Sequence, residues 1–155
     1  MDDRAVLARL GELGLELPQA PAPVANYVPV VVAGGLAFVA GQVATEDGAV
    51  LHPGHLGTEV SVEEGRDAAR RCALQALAAL RAELGGFDRL ERIVQVTAFV
   101  ASAPGFTGQP LVANGASDLL VEVLGEAGRH ARAAVGVAEL PLGAPVEVAV
   151  VAAVR

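Results

Sequence analysis

The side chains of this chain with chemical capacity concentrate toward its C-terminal end. Arg129, His130 and Arg132 stand at the mouth of an apolar strand, and Glu147 follows fifteen positions after Arg132, between Val146 and Val148. Alternate residues of a strand share a face, so a charge inside such a run either ends in water or pairs within a pocket. A guanidinium is a planar fork of donors that suits a carboxylate. Two readings stand open: an edge Arg in solvent with a rim Glu, or charges paired within a pocket. Elsewhere His52 and His55 lie three apart in a Gly/Pro loop. They are expected as exposed loop histidines rather than ligands sharing a metal. Cys72 is the single cysteine, which excludes an internal disulfide, and it falls on the apolar face of a predicted helix, as a small core residue would.

These residues must be held by regular elements. Val6, Leu7, Leu10 and Leu13 recur at helical spacing after Asp2 and Asp3, which predicts a short helix over 2–14. Pro18, Pro21 and Pro23 end it and set an extended lead to Tyr27. Tyr27 to Val32 and Leu36 to Val43 read as strands joined at Gly34-Gly35, a hairpin. A turn-rich stretch follows, with one short strand at Ala49 to Leu51. Ser61-Val62-Glu63-Glu64 has capping-box spacing and opens a long helix that stops at Gly85-Gly86. A strand over 91–101, a second long helix from Leu111 or Ala113 to Leu124, and strands from Arg132 to Leu140 and from Val146 to Val154 complete the chain. The last two strands read as a second hairpin across Pro141-Leu142-Gly143. Strands gathered in one sheet with helices on one face make an α+β fold, and a Val/Ala-rich opposite face must be buried by subunit association.

Composition sets the outer limits. The chain has 155 residues, enough for one domain, and 53% of them are apolar against 19% charged, so it buries a core rather than remaining disordered. Eleven basic residues, all Arg, face eighteen acidic ones for a net charge of −7. That balance repels phosphate backbones and disfavours a nucleic-acid partner. The N-terminus lacks a basic-then-apolar leader, and no 18-residue uncharged apolar span occurs, so the expectation is a cytoplasmic protein with no membrane partner. No GxxxxGK[ST], GxGxxG, HExxH, CxxC or GxSxG pattern is present, and neither a metal nor a cofactor is expected.

Three stretches taken together resemble the RidA/YjgF (endoribonuclease L-PSP-like) family. They are Pro23-Val24-Ala25-Asn26-Tyr27, Phe38-Val39-Ala40-Gly41-Gln42-Val43, and Ala131-Arg132-Ala133-Ala134-Val135-Gly136-Val137-Ala138-Glu139-Leu140-Pro141 with Val146-Glu147-Val148. The likeness runs over residues 20–155 and leaves 1–19 as an N-terminal helical arm, the mark of a divergent subgroup. It implies a chorismate-mutase-like α+β subunit, a mixed sheet with two long helices on one face. It also implies a homotrimer with clefts between neighbouring subunits. In deaminases of that family the residue matching Arg132 holds the carboxylate of an enamine or imine acid, and the match to Glu147 positions or activates water. Tyr27 would wall the pocket, Asn114 line it, Gly41 admit the ligand close to the backbone, and the amide of Ala134 donate a hydrogen bond. Imine hydrolysis is fast in water, so positioning suffices without a cofactor.

The departures bear on the activity. Ala40 and Ala134 stand where active relatives often carry a small polar residue and a Cys, and His130 replaces a residue commonly Pro. Three functions follow: an imine deaminase releasing 2-keto acid and ammonia, a non-catalytic binder or sensor of small keto or amino acids, and an endoribonuclease or translation inhibitor. The net charge counts against the third.

Overall fold

The computed structural model describes residues 1–22 and 26–155. Pro23, Val24 and Ala25, the first part of the Pro23 to Tyr27 stretch, lie outside the described residues. Helix α1 spans Asp3–Glu12, and the Asp2 carboxylate caps it by accepting from the amide of Ala5 at 2.8 Å. Its buried residues Val6 and Leu10 join the same core as the sheet. Asp3 accepts from Arg81 at 2.9 and 3.0 Å and from the Phe87 amide at 2.9 Å. The Arg81 bonds, more than the Phe87 amide, hold the Asp3 carboxyl below its ordinary range against the opposing effect of burial.

Strands β1 (Val30–Ala33) and β2 (Leu36–Val43) form the expected hairpin, with Gly34 and Gly35 at φ 58° and 76°, the left-handed pair that a two-residue turn needs. β1 starts three residues later than predicted from Tyr27. Pro29 has no N–H to give, and its carbonyl alone accepts, from the Ala40 amide at 2.8 Å. A small ribbon of β3 (Thr45–Glu46) and β4 (Ala49–Val50) turns over Asp47-Gly48. Helix α2, Val62–Leu84, begins with the reciprocal Ser61/Glu64 capping box and ends at Gly85 in the left-handed conformation. After β5 (Leu90–Ala101), helix α3 runs Gln109–Leu124 with Pro110 in its first turn, where a missing N–H costs nothing. It therefore starts ahead of the predicted Leu111. A 3-10 turn at Gly125–Gly128 leads to β6 (Ala131–Val137), and β7 (Val146–Val154) closes the chain.

The sheet order is β1-β2-β7-β5-β6, with β5 and β6 parallel and every other pairing antiparallel. The predicted C-terminal hairpin is therefore incorrect. β6 returns through α3 as a parallel crossover partner of β5, and β5 then inserts between β6 and β7. Local pattern carries no sign of this, because β5, β6 and β7 are all rich in Val or Ala and nothing within any one of them selects its partner strand.

Helices α2 and α3 cover one sheet face, giving the mixed α+β architecture that was expected. In β7 the alternate residues Val146, Val148, Val150, Ala152 and Val154 are buried beneath them. The helices cross tightly: a Cβ on Gly115 of α3 would lie 2.0 Å from the Arg66 carbonyl of α2. The opposite face is open and apolar. Cross-strand pairing puts Val31, Phe38 and Val151 in one row on it, and Glu147, Phe99 and Val135 in another. Val31, Phe38 and Val135 are 51%, 45% and 43% exposed.

Candidate functional site

Two separate corners carry the residues singled out by sequence. The first lies where edge strand β6 meets α3. Arg132 pairs across the sheet with buried Val96, so its side chain rises on the helix-covered face. Its Nη1 donates to Asn114 Oδ1 at 2.8 Å and to Ser117 Oγ at 3.1 Å, and its Nη2 approaches the Pro110 carbonyl at 3.4 Å. Asn114 and Ser117 are one helical turn apart and share a face of α3. Asn114 thus lies inside α3, in its second turn. The Arg132 Nε–H and the second Nη2 N–H donate to none of the described residues, and Arg132 is exposed. A guanidinium held through Nη1 and more loosely through Nη2, with donors left over, can grip a carboxylate. Ala134, two residues on and on the same face, is half-buried and adds only a methyl group beside this corner.

Behind Arg132 stands a polar chain. His130 Nδ1 is 2.6 Å from the Gly128 carbonyl and Nε2 is 2.9 Å from Ser117 Oγ. A carbonyl only accepts, so Nδ1 carries the proton, and in the neutral ring Nε2 accepts from the Ser117 hydroxyl. A shallow hollow of about 450 Å³ opens beside His130, walled by Arg92, Ile93, Val94, Arg129 and Ala131.

The second corner lies on the open face, at the seam of β2 and β7. Between Val39 and Gln42 the register slips, with one extra residue in β2 against β7. This bulge reverses the alternation: Val39 and Gln42 are both buried, and Gly41 turns out to the open face beside Glu147. A Cβ on Gly41 would sit 2.9 Å from Glu147 Cδ and 3.0 Å from Oε2, so only glycine leaves the carboxylate its place. Gln42 secures the bulge from beneath by donating to the Ala40 carbonyl at 2.9 Å. Gln75 of α2 donates to the Val43 carbonyl and accepts from the Thr45 amide, both at 2.9 Å. Tyr27, 59% exposed, precedes the Pro29–Ala40 bond at the same end of the sheet.

Within one protomer the two corners do not meet. Arg132 rises on the helix-covered face, while Glu147, paired with Phe99, points to the open one. With β6 and β7 not forming the predicted hairpin, Arg132 and Glu147 are not on neighbouring strands: β5 separates them and the pleat turns them to opposite sides.

The remaining candidates take structural places. His52 and His55 are not free loop histidines. His52 Nε2 lies 2.8 Å from Asp67, and its backbone sits at φ 50°. His55 Nε2 lies 3.0 Å from the Ala138 carbonyl and 3.1 Å from Glu139. The Ala138 carbonyl first, then the Glu139 charge, raise the pKa of His55 above its ordinary value. Glu59, held by the Thr58 hydroxyl and by backbone amides, is lowered to about 2. Cys72 is buried with Sγ 3.7 Å from the Val146 carbonyl, and burial raises its thiol pKa, so it packs rather than reacts. Sequence reasoning passed over Ser117 and Gln75. The one available signal for Ser117 was its i+3 spacing from Asn114.

No helix among the described residues is long and apolar enough to cross a membrane. A profile of the "YjgF/chorismate mutase-like, putative endoribonuclease" family matches residues 7–154. Protein TCP17 of Trypanosoma cruzi is 51% identical over 144 residues, covering 92% of this chain and 90% of that protein. The crystal structure of Atu1372, of unknown function, from Agrobacterium tumefaciens superposes with a TM-score of 0.93 at 44% identity, covering 99% of this chain and 94% of that one. A Shewanella oneidensis structure described as a candidate endoribonuclease gives 0.92 at 34%, covering 96% and 99%. With a profile match across nearly its whole length and relatives of this similarity, the chain belongs to the YjgF/chorismate mutase-like family.

Proposed function

We propose that this protein hydrolyses small reactive 2-imino acids to 2-keto acids and ammonia in a cleft completed by a second copy of the chain. The observation that carries this reading is the Arg132 guanidinium, tethered to Asn114 and Ser117 with N–H donors left for a carboxylate. The Glu147 carboxylate over Gly41 supplies the other half of the chemistry. Because these corners occupy opposite faces of one sheet, the Arg132 corner of one copy works with Tyr27, Gly41 and Glu147 of the next. Three copies arranged head to tail around an axis satisfy every corner and cover the apolar open faces.

The substrate carboxylate docks on Arg132, which orients the adjacent C=N carbon. Glu147 accepts a proton from a water as the water oxygen bonds to that carbon, producing a tetrahedral carbinolamine. Glu147 returns this proton to the amino nitrogen, and as the C–N bond breaks the carbinolamine hydroxyl gives up its own proton to Glu147, so that the C=O bond forms and ammonia leaves the 2-keto acid. Ala40 and Ala134 favour a second reading, binding of keto or amino acids without turnover, since they supply no side-chain donor to the reacting centre. An RNA-cleaving role is disfavoured by the net charge of −7.

The decisive test generates 2-aminoacrylate with a dehydratase and follows keto-acid release. Acceleration by the wild-type protein and its loss in Arg132→Ala are expected. No acceleration, or a full rate in Arg132→Ala, overturns the hydrolase. Saturable binding of 2-ketobutyrate without turnover establishes the second reading.

A further inference from the structure

We propose that His130, acting through the Ser117 hydroxyl, is a positioning residue that fixes the orientation of the Arg132 guanidinium. This deepens the anion-gripping role given to Arg132 above and rests on it for its functional consequence.

The argument follows the donors. The Gly128 carbonyl, 2.6 Å away, takes the Nδ1 proton of His130. Nε2 then has a lone pair at 2.9 Å from Ser117 Oγ, and the hydroxyl proton turns toward it. With its proton committed, Ser117 Oγ can only accept from Arg132 Nη1, at 3.1 Å. Asn114 Oδ1 takes the other Nη1 proton at 2.8 Å. Rotation about the Cζ–Nη1 bond is thereby blocked at both hydrogens, and the plane of the fork is set. Without His130 the Ser117 hydroxyl is free to turn its proton toward the guanidinium, which removes the acceptor and leaves Asn114 as the only tether on Nη1. A proline, the residue the resemblance implies at this position, has no side-chain acceptor to do this, so the chain of bonds depends on the imidazole of His130. The carboxylate that Arg132 receives then meets a pre-oriented fork, and less ordering is needed on binding.

The test uses the folded, full-length protein labelled with ¹⁵N. The His130 ring is expected as the Nδ1–H tautomer, and the Arg132 Nη1 hydrogens as slowly rotating, resolved signals. In Ser117→Ala and in His130→Leu those signals merge through fast rotation, while His130→Gln, whose amide oxygen accepts in place of Nε2, restores them. Titrated with 2-ketobutyrate, each of the first two variants weakens binding by about 3- to 10-fold. The double variant loses no more than the worse single one, because both act through one chain of bonds. An Nε2–H tautomer in the wild type, or Arg132 signals unchanged in both variants, overturns the proposal. If the wild-type protein ignores 2-ketobutyrate while the Arg132 signals respond as stated, the positioning role stands and the keto-acid reading falls.

Discussion

The two faces of the central sheet are built from the same kinds of residue and do opposite work. Where α2 and α3 cover the sheet, Val96, Val148 and Val150 of the strands and Leu77 and Leu119 of the helices are fully or almost fully removed from solvent, and Gly115 lets the two helices approach until their backbones nearly touch. On the other side Val31, Phe38 and Val135 stay about half exposed. Yet it is this less finished face that carries the bulge, Gly41 and Glu147. Close packing on one side makes the sheet a rigid plate, and the site can then be placed at its uncovered side and edge, where another molecule can reach it.

The contrast predicts a ranking of substitutions. On the covered face Leu77→Ala should cost about 3 kcal/mol in urea denaturation, the usual loss for a buried leucine that leaves a cavity. A cost below about 1 kcal/mol would mean that this face is not the core. Gly115→Ala should follow at about 2 kcal/mol, because the added methyl forces α2 and α3 apart; a neutral result would show the crossing to be loose. On the open face Phe38→Ser should change the folding of a single subunit by less than about 1 kcal/mol, while sedimentation shifts to a smaller species. A mass equal to that of the wild type would refute covering of this face by neighbouring copies.

Gly41→Ala separates function from stability still more sharply. Its methyl meets only the flexible end of Glu147, so thermal stability should move by less than about 0.5 kcal/mol, with imine hydrolysis falling as the carboxylate is pushed aside. Equal loss of both would assign Gly41 to packing alone.

The smallest effect belongs to the His55 latch between the loop over 52–60 and the segment after β6. Its pKa is raised in the folded protein, so its contribution is complete below the ordinary value of 6.5 and fades as pH rises through the folded-state value. Glu59, with a pKa of about 2, stays ionised throughout that window. The difference in Tm between wild type and His55→Gln should therefore shrink as pH rises above the ordinary histidine value of 6.5. A constant difference would rule out an ionised latch.

The candidate site was legible one residue at a time and little of it as an arrangement. Arg132 and Glu147 stood out because a charge inside a Val/Ala strand demands a reason, and Asn114 does reach Arg132. Ser117 gave no such signal, since a serine in a helix is ordinary until a neighbour donates to it. Gly41 was noticed, but that a bulge turns it outward depends on β7 advancing two residues while β2 advances three.

By itself the sequence determined the elements whose causes are local. The Ser61 and Glu64 side chains bond the first turn of α2 within four residues, Gly85 accepts a conformation other residues resist, and Gly34-Gly35 makes the β1–β2 turn. Only the tertiary structure decided that β5 lies between β6 and β7, and hence that Arg132 and Glu147 face opposite ways. The physical reason is that strand pairing is a contest among near-equivalent apolar partners far apart in the chain. It is settled by the crossover through α3 and by the burial of one face, neither of which is written in any short run of residues.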